Sequence, residues 1–208
     1  MRWETVWRKK YKTLLLEKIS LQKMFEKFTE FAGETDFNNA DSISSFLKLT
    51  YGKSYLEGLY RFFEEEKVSY WNEIVESCFP EYEGAITVMS YDWMGRIFAI
   101  EKASQKVILF EIGSGDVYDT DADVLEFHDD LIAEHPEECL VSELFADWRS
   151  ANNNISLKAA DCVSYKVPLM LGGGDDFENL DLCDMDVYWE ILKPVILGTD
   201  VESGDEGL

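Results

Sequence analysis

Residues Ala85–Ile112 read A-I-T-V-M-S-Y-D-W-M-G-R-I-F-A-I-E-K-A-S-Q-K-V-I-L-F-E-I, and the fold class turns on them. Ile86–Ser90, Arg96–Ile100 and Val107–Ile112 are short apolar runs rich in β-branched and aromatic residues, which predicts strands. They are separated only by Asp92-Trp93-Met94-Gly95 and by Lys102–Gln105. Connections that short join strands that reverse direction, whereas parallel neighbours need a crossover of a dozen residues or more. An antiparallel meander follows. Gly113-Ser114-Gly115-Asp116 makes a further turn. It contains G-x-G after a strand, but Tyr118 stands where a dinucleotide fingerprint has its third glycine and no helix starts there, so that reading is discarded.

Downstream, Asp116–Asp123 is the densest acidic stretch and resembles the opening of a calcium loop. The calcium pattern needs Gly and Glu where this chain has Val124 and Asp130, so no metal site is expected there. Asp123 is placed to cap a helix over Val124–Glu134, and a second helix over Glu138–Ala151 buries Leu140, Leu144, Phe145 and Trp148 before Asn152-Asn153-Asn154 ends it. Val163–Leu171 reads as an edge strand carrying Pro168, followed by a reversal at Gly172-Gly173-Gly174. Asp175 and Asp176 follow at once and would repel a phosphate, so the glycines are read as a turn. After a short return over Asn179–Leu182, Asp184 caps a helix with Val187, Tyr188, Ile191, Leu192 and Val195 on one broad apolar face. The glycine-rich acidic tail 198–208 is expected to be mobile.

Upstream, Leu14, Leu15, Ile19, Met24, Phe25, Phe28 and Phe31 predict one long amphipathic helix over Val6–Phe31, ended by Gly33. Its basic start, with Trp3, Trp7 and Tyr11 among Arg8, Lys9, Lys10 and Lys12, is expected to pack on an acidic body. Asp41 or Ser42 caps a short helix through Leu49, Leu59–Phe63 is a strand, and Ser69 opens a helix with Trp71, Ile74, Val75 and Cys78 on one side, stopped by Pro80. The predicted class is α+β, an antiparallel meander with helices packed on it. The expected divisions are a helical part over 1–84, an α+β part over 85–197 and the tail.

Charge is the outlying property of these 208 residues: formal net −23, with +4 on Met1–Phe31 and −27 on the remainder. Such a surface repels nucleic acid and anionic membranes and attracts basic proteins. Apolar runs are far shorter than the ~20 residues a spanning helix needs. The charged N-terminus carries no apolar signal core, so a cytoplasmic chain is expected. Cys78, Cys139, Cys162 and Cys183 form no C-x-x-C pair and are read as reduced, while His128 and His135 offer too few ligands for zinc and are assigned structural or surface roles. No nucleophile elbow, zincin or Walker motif is present, so neither catalysis nor a cofactor is expected.

Several ordered motifs carry a resemblance. Tyr165-Lys166-Val167-Pro168-Leu169, Leu171-Gly172-Gly173, Glu178-Asn179-Leu180 and Asp184-Met185-Asp186-Val187-Tyr188-Trp189 resemble the C-terminal domain of bacterial immunity proteins that neutralise DNase effectors of the type VI secretion system. Tyr51-Gly52-Lys53-Ser54, Gly58-Leu59-Tyr60-Arg61, Phe79-Pro80-Glu81-Tyr82 and Tyr91-Asp92-Trp93-Met94-Gly95-Arg96 resemble the GAD-like region that precedes that domain. The resemblance implies an intracellular protein that binds a basic nuclease toxin and blocks it without chemistry of its own. The competing expectations are a regulatory or scaffold module and a metal-binding enzyme using the Asp116–Asp130 region. On charge density, Asp116, Asp119, Asp121, Asp129 and Asp130 are the expected partner-binding residues, whereas Trp93, Gly95, Pro168, Gly172 and Trp189 are expected to be structural.

Overall fold

The computed structural model describes residues 24–34, 37 and 40–203. Within them the chain is α+β. Helices α1 (Glu26–Ala32) and α2 (Ile43–Thr50) precede strands β1 (Ser54–Tyr55) and β2 (Tyr60–Phe62), then helix α3 (Val68–Cys78). Strands β3 (Ile86–Asp92), β4 (Ile97–Glu101), β5 (Lys106–Glu111) and β6 (Asp116–Asp123) follow. The remainder is α4 (Val124–Glu126), which runs on as a π-helical turn over Phe127–Ile132, then α5 (Pro136–Leu140), α6 (Ser142–Ala151), β7 (Asp161–Tyr165), β8 (Leu180–Asp184) and α7 (Met185–Ser203). Strands β1 to β6 form one antiparallel meander in sequence order, and β7 pairs with β8 in a separate two-stranded sheet.

The apolar runs are continuous because the main sheet is covered on both faces. Successive side chains alternate between two cores. Phe98 and Val107 pack with Phe28 of α1, Phe46 of α2, Phe127, and Phe145 and Trp148 of α6. Ile97, Ala99, Ile108 and Phe110 pack with Trp71 and Val75 of α3 and with Met185, Trp189 and Leu192 of α7. The result is a helix–sheet–helix sandwich. The division expected between residues 84 and 85 falls inside it, since Tyr60 to Phe62 of β2 pair with Asp92 to Ser90 of β3.

The turn between β3 and β4 ties the layers together. Asp92 is fully buried, and its carboxylate accepts from the backbone N–H of Met94 (2.9 Å) and Arg96 (3.1 Å) and from Arg96 Nε (2.6 Å). Arg96 Nη2 donates onward to the Cys139 carbonyl at 2.9 Å. Trp93 Nε1 donates to the Leu140 carbonyl (2.7 Å), Trp189 Nε1 to the Gly95 carbonyl (2.9 Å), and the Val163 N–H to the Trp93 carbonyl (2.7 Å). One turn thereby holds α5, α7 and β7. Gly95 sits at φ 75°, where a Cβ would also press on Cys162 at 3.2 Å, so both conformation and space require glycine there. The structural roles expected of Trp93, Gly95 and Trp189 follow from these bonds.

Several elements differ from the sequence expectation. The helix expected over Val6–Phe31 does not reach Phe31 unbroken, since α1 begins only at Glu26, after Phe25 at φ 60°; the expected basic start lies outside the described residues. Ser42, rather than Asp41, makes the capping box of α2. The Glu138–Ala151 helix is two helices, broken at Val141 with φ 50°. Strand β7 ends at Tyr165, so Pro168 lies beyond the ladder, leading into a 3-10 turn over Leu169–Leu171 that Gly172 closes at φ 85°. Helix α7 continues through Pro194 and Gly198 to Ser203, where a mobile tail was expected from Gly198; residues 204–208 lie outside the described residues. Its buried face is Met185, Tyr188, Trp189, Leu192 and Ile196, while Val187 and Ile191 face outward. Among the described residues no helix is long and apolar enough to cross a membrane.

His128, in the π-helical turn, is fully buried among the rings of Phe28, Phe46 and Phe62. A carbonyl can only accept, so Nδ1 carries the proton and donates to Val124 O (2.6 Å), leaving Nε2 to accept from the Tyr60 hydroxyl (3.0 Å). Burial pushes this imidazole down to about 3. The unfolded chain therefore binds an extra proton between about 3 and the ordinary 6.5, and stability falls as pH drops through that window. Glu111, pushed up to about 7 by burial against an ordinary 4.5, acts in the opposite direction between those values.

Two outcomes are expected. His128→Asn lowers the melting temperature at pH 7 yet flattens its fall between pH 6.5 and 4; an unaltered slope would contradict the assignment of that slope to His128. Asp92→Ala leaves the buried Arg96 guanidinium with only the longer 3.6 Å contact to Glu111 and costs about 3–5 kcal/mol in urea denaturation, with a loss under about 1 kcal/mol counting against the turn as the tie between layers.

Candidate functional site

Asp116, Asp119 and Asp121 lie on β6, one of the two edge strands of the main sheet. From the sequence a calcium loop is set aside here and no strand is assigned to the stretch; the three stand on one. Its register with β5 sets Asp116 opposite Glu111, Tyr118 opposite Leu109 and Asp119 opposite Ile108. The ladder is irregular between Lys106 and Ile108, and Asp121 adopts φ 55° within that bulge. Asp tolerates this left-handed conformation better than most side chains, and the Asp121 N–H donates to Asp119 Oδ1 at 2.8 Å. Thr120 Oγ1 donates to the Val107 carbonyl at 2.7 Å and pins the bulge to β5.

The side chains at this margin point into solvent. Asp116, Asp119 and Asp121 are exposed, and between them Tyr118 is 51% exposed, its hydroxyl donating to Asp116 Oδ2 at 3.1 Å. The acidic field reaches beyond the strand. The Tyr82 phenol is pushed up by burial and by the carboxylates of Glu81, Glu101 and Asp119. Carboxylates flanking an exposed phenol can take guanidinium and ammonium groups by charge-assisted bonds and offer them an aromatic face.

Asp129 and Asp130 do not belong to this margin. Asp129 is half-buried and accepts from the Phe28 N–H of α1 at 2.9 Å, and burial raises its carboxyl. Asp130 pairs with Lys27 at 2.6 Å, and Glu134 pairs with the same ammonium at 2.7 Å. The two aspartates dock α1 against the π-helical turn rather than presenting free charge to a partner. The five expected residues therefore divide into three on the open margin and two in an internal contact. Tyr118 was not singled out, although an aromatic flanked by Asp at spacing two on a strand is the signal that could have found it.

Among the described residues no group of three or more His, Cys, Asp or Glu is arranged to hold a metal ion. The four cysteines are free thiols, with Cys162 and Cys183 opposite one another across β7 and β8. His128 is buried and structural, and His135 has an exposed side chain.

No family model matches this chain, and no curated protein does. A solved structure resembles it: Atu4351 from Agrobacterium tumefaciens aligns over 72% of this chain and 74% of its own, with a TM-score of 0.51 and 16% sequence identity. At that identity the likeness concerns the fold, and it supports an α+β arrangement built on the six-stranded meander.

Proposed function

We propose that this chain is an immunity-type protein that binds a basic nuclease toxin in the bacterial cytoplasm, one to one, and blocks it by occupation rather than by chemistry. The carrying observation is the β6 margin, with three exposed aspartates around a half-exposed tyrosine on a rigid sheet edge, in a chain of net charge −23. A nuclease must present basic surface to its substrate, and an acidic protein surface competes for the same groups. Tyrosines flanked by polar groups are frequent anchors of such contacts. The ordered motifs that resemble immunity proteins of type VI secretion DNase effectors point the same way, and of the five candidate acids Asp129 and Asp130 are engaged with α1 while the three of this margin face solvent.

The test is inhibition of a purified DNase effector of the type VI secretion system in a DNA-cleavage assay. Cleavage is expected to stop at one equivalent; a toxin that still cuts DNA with this protein in excess overturns the proposal. Within the complex, Asp116→Asn/Asp119→Asn/Asp121→Asn is expected to slow association at low salt by about tenfold or more and to flatten its salt dependence, as removal of steering charge does. Tyr118→Ala is expected to act on the other rate, speeding dissociation by roughly tenfold, the scale of a central anchor. Both are read by surface plasmon resonance, and equal rates for wild type and variants would place the contact elsewhere.

A further inference from the structure

A chain this acidic nevertheless gathers four of its 19 Lys and Arg residues around one cleft of about 340 Å³. Lys53 precedes β1, Arg61 lies on β2, Lys67 stands at the start of α3, and Lys158 belongs to the segment leading into β7. Glu64 and Asp186 are the acids of the lining, so cations outnumber them. Asp186 already accepts from the Tyr70 hydroxyl at 2.9 Å, and Lys53 pairs with Glu34 at 3.1 Å. Lys67 and Lys158 are exposed, and neither makes an ion pair among the described residues.

Arg61 is the unusual member. It is 1% exposed, and among the described residues no carboxylate pairs with it. Nη1 donates to the Lys158 and Asp161 carbonyls at 2.6 Å and Nη2 to the Asp92 carbonyl at 2.8 Å, while Nε is buried with no partner among the described residues. The guanidinium rests 4.4 Å from the centre of the Tyr91 ring. Tyr91 stacks on Phe63 at 4.5 Å, and Phe63 lies against Trp71 at 5.3 Å; all three rings line the cleft. Carbonyl dipoles and a ring face hold this buried cation, the Asp92 and Asp161 carboxylates act on it only from beyond ion-pair contact, and the remainder of its field extends into low-dielectric surroundings. An anion in the adjoining cleft would meet it there.

We propose that this cleft binds a small organic anion, a phosphate or carboxylate group on a molecule that also carries a planar ring, with the anionic end among Lys53, Lys67 and Lys158 and the ring along the aromatic wall. The volume lies in the range of small-ligand sites, which are commonly apolar with a few convergent polar groups. The cleft is lined by residues distinct from the β6 margin, so the inference stands apart from the immunity reading.

Arg61 holds three carbonyls of the fold, so the test uses the exposed lysines. Isothermal titration of the full chain with AMP, benzoate and inorganic phosphate is compared with Lys67→Gln/Lys158→Gln, whose ligand-free melting temperature serves as the fold control. Saturable binding of AMP or benzoate is expected, weakened about tenfold or more in the double variant, as loss of charge-assisted contacts implies, and weakened also by 0.5 M salt. The two ring-bearing probes separate phosphate from carboxylate, and weaker binding of inorganic phosphate supports the role of the ring. Absence of binding by all three probes at 10 mM, or binding unchanged in the double variant, overturns the proposal. Inorganic phosphate binding as tightly as AMP overturns the part assigned to the aromatic wall. Inhibition of the nuclease is expected to survive the double variant, and anion binding to survive the triple Asp→Asn variant of β6, so the failure of either reading is seen separately.

Discussion

The buried ion pair of Asp92 and Arg96 is the constraint on which the remaining structure depends. An ionised carboxylate and a guanidinium removed from water are tolerated only if every lone pair and N–H near them is engaged. Here the carboxylate takes two backbone amides as well as the guanidinium, and the guanidinium reaches on to the Cys139 carbonyl. Satisfying the pair therefore fixes the shape of the turn, and the shape of the turn aims two indoles and a backbone carbonyl at α5, α7 and β7. Glu111 sits 3.6 Å from the same Arg96, a further carboxylate in a nearly dry place, and its raised pKa registers the strain of placing it there.

From this turn outward the molecule is a sheet buried twice over. A meander with one wet face would show alternating polarity, whereas β3 to β5 read as unbroken apolar runs because two separate helical layers need covering. The helices on one side carry aromatic rings that enclose a neutral His128, and those on the other side close over Trp189. Both layers rest on one ladder of hydrogen bonds, so the segments before and after the turn between β3 and β4 share a frame.

Much of that frame was legible in the chain. Short apolar runs with turn-length connections identified the meander, and capping residues Ser42, Asp123 and Asp184 located helix starts, because these are local signals. What escaped notice was decided at a distance or by exposure. Strand β6 shows little apolar alternation because its side chains face water, and backbone pairing with β5 holds it. Asp129 looks like any surface acid until its acceptor role toward an amide 101 residues earlier is seen. Arg61 gives no hint of burial, since two of the carbonyls it serves lie 97 and 100 residues further along. A tail is expected from Gly198, yet α7 continues to Ser203; Pro194 within it lies on the exposed side, opposite the buried Leu192 and Ile196.

The β6 margin has one more effect. An open sheet border with free amides and carbonyls invites a second copy of the same chain to extend the ladder, the first step toward fibres. Two such borders brought together here would set rows of aspartate against rows of aspartate, with the kink at Asp121 breaking the alignment of their hydrogen bonds. Self-pairing along this border is thus penalised by charge and by geometry, which disfavours fibre formation even in concentrated solution.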